Sequence, residues 1–337
     1  MKKIIILLKT SYSLGFFNII SVTFYRILTL PLIAKFYYPK KKNKELGIIF
    51  NPSKEVKNIS KVKEEGVLYY ADAILKGDLF YYSWNKISVG KTPNWFLNPF
   101  NKNEHSKKNK HWSELDDFNS KVGDIKNIWE ASRFNWLGTL AYAYKITLNK
   151  TYLKKMNDWV QNWSLENPIN TGPNWKCAQE ASIRVINLLV ANEIIEEGKI
   201  SKSLLELLII HIDRILPTTF YAKAQNNNHG LTEGCALYLA GNLLWVNTKD
   251  KKYFSISQKG LKLIENRVEK LILDDGTFSQ YSIIYHRMIL DLLSITKLFN
   301  DKWALSPFSE LFYKKVYLAI NWYSTMIDPI TGNSPNM

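Results

Sequence analysis

The chain has 337 residues, 46% of them hydrophobic and 22% charged, which excludes an intrinsically disordered polypeptide and suffices for one large core or two domains. Only two cysteines, Cys177 and Cys235, occur, without metal-ligand spacing; they exclude a disulfide framework and read as packing residues. The formal net charge of +15 favours a polyanionic partner, an acidic polysaccharide, nucleic acid or anionic membrane, and no nucleic-acid reader motif accompanies it.

Lys2, Lys3 and Lys9 flank a brief apolar run, Ile4 to Leu8, with no convincing small-residue cleavage pattern after it, so a cleavable signal peptide is not expected. Thr10 to Tyr25 carry no formal charge but include Ser11, Ser13, Asn18, Ser21 and Thr23, which makes the stretch short and polar for a membrane span. An interfacial or packed helix in peripheral membrane contact is the expectation. Lys35 to Lys44, with Pro39, reads as a solvated linker, with an anionic-surface patch as the alternative. Residues 1–45 thus form an N-terminal apolar and basic segment with a linker.

Residues 46–122 form a mixed covering segment. Val67-Leu68-Tyr69-Tyr70 and Leu79-Phe80-Tyr81-Tyr82, broken by Gly77, Gly90, Pro93 and Pro99, predict turns and brief extended pieces. The Lys-rich stretch from Asn101 to His111 has no apolar residue and reads as an exposed loop, in which His105 and His111 have no chemical role.

From residue 123 the pattern is helical. Tyr152, Leu153, Met156, Trp159, Val160 and Trp163 form the stripe of an amphipathic helix, and further helices are predicted over 178–197, 202–216, 231–246, 256–273, 281–299 and 308–327. Short polar links between them make neighbours antiparallel, in a bundle, solenoid or toroid of hairpins. The 11 Trp and 19 Tyr suit such a core and also suit a carbohydrate face.

Four polar constellations interrupt the apolar faces. Gln225 to Gly234 joins three consecutive Asn to His229 and Glu233 beside an apolar helix; Asn and Gly resist helix continuation, so the cluster is expected on a turn. Glu130 and Arg133 lie at i, i+3, and Glu180 and Arg184, after Asn174-Trp175, at i, i+4; each pair also reads simply as a helix salt bridge. Asp275 to Arg287 delivers Tyr281 and Tyr285 into a helix start, with His286 and Arg287 adjacent.

In combination these residues resemble a known family. Gly123-Asp124-Ile125-Lys126, Trp129-Glu130-x-Ser132-Arg133-Phe134, Asn167-Pro168, Gly172-x-Asn174-Trp175, Glu180, Arg184, Asn228-His229, Glu233-Gly234 and Asp275-Gly276 through Tyr285-His286 follow the order of heparinase II/III-type polysaccharide lyases, over about residues 67 to 337. The resemblance implies a mainly α fold, an incomplete (α/α) toroid of antiparallel helical hairpins over 123–337. It also implies a following β-sandwich domain that this chain, ending in Gly332-Asn333-Ser334-Pro335-Asn336-Met337, is expected to lack.

The implied chemistry is β-elimination at a uronic acid of an anionic polysaccharide, with no cofactor and no metal. A base removes the C5 proton, which requires donors on the neighbouring carboxylate. By this resemblance Asn228 is such a donor, His229 is a second contact or the base for one C5 epimer, and Tyr285 is the acid and a candidate base. Glu130, Arg133, Trp175, Glu180, Arg184, Glu233, Tyr281 and His286 would bind substrate or brace the cleft. Gln280 stands where relatives commonly carry Glu, and the family's further catalytic His lies in the β-domain. A chain without that domain is expected to bind saccharide yet turn over slowly or not at all. The resemblance further implies a cell-envelope or periplasmic setting. Two other classes compete: an (α/α)-toroid glycoside hydrolase using carboxylates among Glu130, Glu180 and Glu233, and a non-catalytic acidic-glycan-binding envelope protein.

Overall fold

The computed structural model describes residues 15–52, 64–116, 118–195 and 200–335. The run from Ile4 to Leu8 with its lysines, together with Ser11 and Ser13, lies outside them. In chain order the helices are α1 (Phe16–Phe24), a π-helical stretch (Tyr25–Ile33), α2 (Ala34–Tyr37), α3 (Glu64–Leu75), α4 (Lys126–Ser132), α5 (Asn135–Thr147), α6 (Lys150–Glu166), α7 (Ala178–Ile195), α8 (Lys202–Ile215), α9 (Thr219–Ala224), α10 (Asn228–Thr248), α11 (Lys251–Leu271), α12 (Ile283–Lys302) and α13 (Glu310–Thr325). Between α3 and α4 lie three small antiparallel pairs, of which β1 (Asp78–Tyr81) with β2 (Asn85–Ser88) is the longest. The expected mainly α fold, assembled from helical hairpins, is present.

The chain divides into two compact units, a split unit (Met1–Thr29 with Ile215–Met337) and a central unit (Leu30–Arg214). These boundaries fall elsewhere than positions 45 and 122, where composition changes.

Each unit contains a helical hairpin turned by the same two-residue device. In the central unit Leu148 is left-handed (φ 57°) and ends α5, and the next residue, Asn149, caps α6 by accepting the Thr151 N–H at 3.0 Å. In the split unit Lys249 is left-handed (φ 59°) after α10, and Asp250 caps α11 by accepting from the Lys252 N–H at 2.8 Å. A helix stop followed at once by a helix start forces the second helix back along the first.

Aromatic residues fill the central core. Trp159 meets Trp95 and Trp136 edge to face at 6.4 and 5.1 Å, and Phe134 meets Trp163 at 5.1 Å. Trp95, Trp112, Trp159, Trp163 and Trp175 are all enclosed, so most of the aromatic excess of this unit serves packing. In the split unit α10 and α11 approach so closely that a Cβ at Gly260 would lie 2.4 Å from the Tyr238 backbone nitrogen, and one at Gly241 would lie 2.7 Å from that of Ser257. Glycine is required where two helix backbones nearly touch.

Three expectations need correction. Val67 to Tyr70 is helical, inside α3, because Ala71, Ala73 and Ile74 supply a small buried face that the aromatic residues obscure in the sequence. The stretch from Asn101 to His111 is not wholly exposed: His105 and His111 are buried. Nδ1 of His111 accepts the Ser113 N–H at 3.2 Å and its Nε2 bonds the Tyr38 carbonyl at 2.9 Å, so it fastens a turn. The linker after α2 is tethered within the central unit: Asn43 bonds the carbonyls of Ser164 and Asn167, and Lys41 bridges Ile169.

Candidate functional site

In the split unit the polar cluster starts helix α10 instead of preceding it. Asn226 takes the left-handed turn conformation (φ 50°), Asn227 is the N-cap whose side chain accepts the His229 N–H at 3.0 Å, and Asn228 is the first helical residue. The capping ability of Asn therefore sets the boundary three residues earlier than the apolar pattern suggests. Arg267 of α11 clamps the turn from behind, donating from one guanidinium nitrogen to the Lys223 carbonyl at 2.8 Å and to Asn226 Oδ1 at 3.0 Å. Its burial pulls its pKa below the usual guanidinium value.

The second polar stretch meets the first at this point. The Oε1 atom of Gln280 accepts the Asn228 backbone N–H at 2.9 Å, and Ser279 Oγ donates to the Asn226 carbonyl at 3.3 Å. The Asn228 side chain, 2% exposed, lies with Nδ2 3.8 Å from Met288 Sδ on α12. Tyr285 sits one turn before Met288, at i, i+3, on the same side of α12. Tyr285 is 40% exposed and Tyr281, left-handed at φ 48°, is 75% exposed. Both residues are therefore exposed to solvent. His229 and Glu233 lie at i, i+4 on α10, with His229 half-buried and Glu233 enclosed.

His286 points elsewhere. Its ring stacks on Trp322 at 4.7 Å and on Tyr323 at 5.6 Å, and Nε2 bonds the Ala319 carbonyl at 2.9 Å. Burial lowers its pKa, only partly opposed by that bond, so the ring is held neutral in a packed layer away from solvent.

The central unit holds a second cluster. Arg133 donates to both Glu180 oxygens, at 2.7 and 2.9 Å, and to Glu130 Oε2 at 2.6 Å, while Glu130 Oε1 accepts the Tyr82 N–H at 3.2 Å. All four carboxylate oxygens are thus engaged. Burial acts to lower the Arg133 pKa, but the charges and bonds of Glu180 and Glu130 outweigh it and raise the value. Glu180 does not form the expected i, i+4 ion pair with Arg184. Arg184 is instead fully enclosed between the rings of Trp163 and Trp175, at 4.7 and 5.4 Å, donating to His211 Nε2 at 2.9 Å and to the Asn174 carbonyl at 2.8 Å. Burial lowers its pKa to about 9. Trp175 and Arg184 are inside the packed wall, out of reach of a ligand at the surface.

Comparison with known proteins identifies the architecture. The family model for the heparinase II/III N-terminus matches residues 32–333. The chain belongs to this family. Among solved structures the heparinase II/III N-terminal fold here is similar to heparinase III, at 17% identity and a TM-score of 0.55, over 92% of this chain and 45% of that one. It is also similar to a mutant of the heparan sulfate lyase HepC from Pedobacter heparinus, at 17% identity and a TM-score of 0.51, over 87% of this chain and 43% of that one. The chain therefore spans less than half the length of these structures. No curated protein matches its sequence.

Two supporting residues escape a sequence reading. Arg267 is a cation on the apolar side of α11 beside Ile264, Val268 and Leu271, and His211 is a lone imidazole in the Leu- and Ile-rich α8. A polar residue interrupting an apolar face is the available signal, but it does not say which distant group it serves. Gln280 stands out in sequence only as a departure from relatives, whereas its position gives it a specific bond.

Proposed function

We propose that this heparinase II/III N-terminal chain provides the helical part of a lyase site that cleaves a uronic-acid-containing anionic polysaccharide by β-elimination. Membership of the family and likeness to two lyase structures support a polysaccharide as substrate. The observation that carries the assignment of residues is the Gln280–Asn228 bond, which draws the α10 start to the turn leading into α12 and so Asn228 toward the face of Tyr285.

In this reading the Asn228 side chain, enclosed against Met288 in this structure, turns outward on binding and its amide donates to the uronate carboxylate, so that charge developing at C5 spreads into it. His229, or the Tyr285 phenolate, removes the C5 proton. The electron pair forms the C4–C5 double bond and breaks the bond from C4 to the glycosidic oxygen, which takes a proton from the Tyr285 hydroxyl or from water. Glu233, on the His229 face of α10, orients that imidazole, and Tyr281 offers a ring to the saccharide. The Arg133–Glu130–Glu180 cluster and the Arg184–Trp175 layer brace the central unit. The engaged oxygens of Glu130 and Glu180 argue against an acid and base pair for hydrolysis.

A second reading, acidic-glycan binding without turnover by this chain alone, draws on its spanning less than half the length of the matched structures. The deciding experiment incubates purified protein with heparan sulfate and with an unsulfated polyuronate, following near-ultraviolet absorbance and product masses. Unsaturated uronates without added water support elimination. Saturated, water-added products reject it, and binding without products selects the second reading.

A further inference from the structure

The N-terminal helix presents an apolar surface that the candidate site does not use. Phe16–Tyr37 forms one helical run of 22 residues whose most apolar stretch has a mean hydropathy of 1.6 and is only 11% buried. Phe16, Phe17, Ile27 and Leu32 are 71, 80, 63 and 65% exposed, an unusual density of large apolar groups facing water. The middle of the run is nevertheless fixed within the split unit. Tyr25 stacks on Tyr221 of α9 at 3.8 Å, and Phe24 meets Phe220 at 5.9 Å. The helix thus has one side committed to the protein and its remaining apolar surface open.

Charge identifies what covers that surface. Lys40, Lys41, Lys42 and Lys44 follow the run closely in sequence, and all four are exposed. An apolar helix followed by a basic cluster is the two-part signal by which a protein holds an anionic bilayer, apolar side chains entering the boundary between headgroups and acyl chains while ammonium groups meet lipid phosphates. The length also fits a span, since 22 residues reach about 33 Å against a hydrocarbon core of about 30 Å. A span, however, would carry Arg26 and the attached α9, with Thr219 and Lys223, to the depth of the acyl chains.

We propose that the Phe16–Tyr37 run lies in the interface of an anionic lipid bilayer, making this chain a peripheral membrane protein attached by one helix face and the lysines after it. This proposal is independent of the lyase reading and concerns none of that site's residues.

The test is flotation of the whole chain with vesicles of phosphatidylcholine alone or mixed with phosphatidylglycerol. Binding is expected only to the anionic vesicles and is expected to weaken as salt rises. Each Lys→Gln change among Lys40, Lys41, Lys42 and Lys44 should weaken it by about five-fold, the equivalent of ~1 kcal/mol per basic residue at the surface. Phe17→Ser with Ile27→Ser should abolish flotation while leaving helical circular dichroism and the melting temperature unchanged, since both side chains are exposed. Equal binding to neutral and anionic vesicles, resistance to alkaline carbonate extraction as in a spanning helix, or a lipid-free dimer that the Phe17→Ser/Ile27→Ser pair dissociates would each overturn the proposal.

Discussion

Gln280 Oε1 and the backbone N–H of Asn228, 52 residues apart, are joined by a 2.9 Å hydrogen bond that caps one helix from the threshold of another. The amide it accepts is among the first of α10, which have no carbonyl partner inside their own helix. Replacing Gln280 by Ala should cost about 1 kcal/mol of stability and weaken glycan binding with it. Gln280→Glu should retain the bond and gain from negative charge at a helix start, giving equal or higher stability. Thermal melts of both variants check this, and an unchanged melt for Gln280→Ala would discard the bond as a positioning device.

Tyr285→Phe keeps the ring and removes the hydroxyl. In a preparation that shows elimination, the expected loss in kcat is about 10²–10⁴-fold with KM changed much less. Asn228→Ala should instead raise KM as well, because in the proposed reaction the amide meets the carboxylate both before and during the elimination. Near-wild-type turnover by folded Tyr285→Phe would move the acid to Tyr281 or to solvent.

The Arg133 cluster predicts a larger effect on stability than on binding. Its removal as Arg133→Met strands two carboxylates, of which Glu180 is 3% and Glu130 9% exposed, and should cost about 3–5 kcal/mol in denaturant unfolding. The double variant Arg133→Met with Glu180→Gln should recover part of that loss.

Acid should destabilise the protein earlier than carboxylate titration alone would. Burial and the neighbouring Arg184 push the His211 pKa well below its ordinary value, and burial lowers those of His105, His111 and His286. The unfolded chain takes up these protons below about pH 6.5 while the folded chain refuses them, so stability present above that pH is lost as pH falls toward the folded values. Melting temperature against pH should therefore decline from about 6.5 downward, and His211→Gln should make the decline shallower. A flat profile between pH 7 and 5 would contradict this.

Close helix approach gives a fifth outcome. Gly260→Ala places a methyl group against the Tyr238 backbone, which cannot yield as a side chain tip would, and about 1–3 kcal/mol of destabilisation is expected. An Ala variant with an unchanged unfolding midpoint would show that α10 and α11 separate freely.

Much of the helical framework is legible in the sequence because amphipathic periodicity is local. The Tyr152 to Trp163 stripe coincides with α6, and its Tyr152, Met156, Trp159, Val160 and Trp163 are buried. Helix α3 is obscured because its buried face consists of Ala71, Ala73 and Ile74 while its conspicuous aromatic residues, Tyr69 and Tyr70, are exposed. At the candidate site, the family resemblance points to Asn228 and Tyr285, but nothing in the sequence shows that Gln280 holds the Asn228 backbone, because a bond spanning 52 residues has no periodic signature. The placement of Arg184 is hidden for the same reason: its neighbour at i−4, Glu180, is claimed by Arg133, and Arg184 turns to His211, 27 residues away.

The discontinuity of the split unit imposes an order on synthesis. Helix α1 leaves the ribosome before the central unit, yet α9, which carries Phe220, the ring partner of its Phe24, follows about 200 residues later. At ~5–20 residues per second that interval is about 10–40 s. The central unit, continuous in sequence, can complete itself first. Throughout the wait, the apolar N-terminal helix has no α9 to stack on, so whatever the nascent chain meets first, chaperone or bilayer, competes for it before its own fold does.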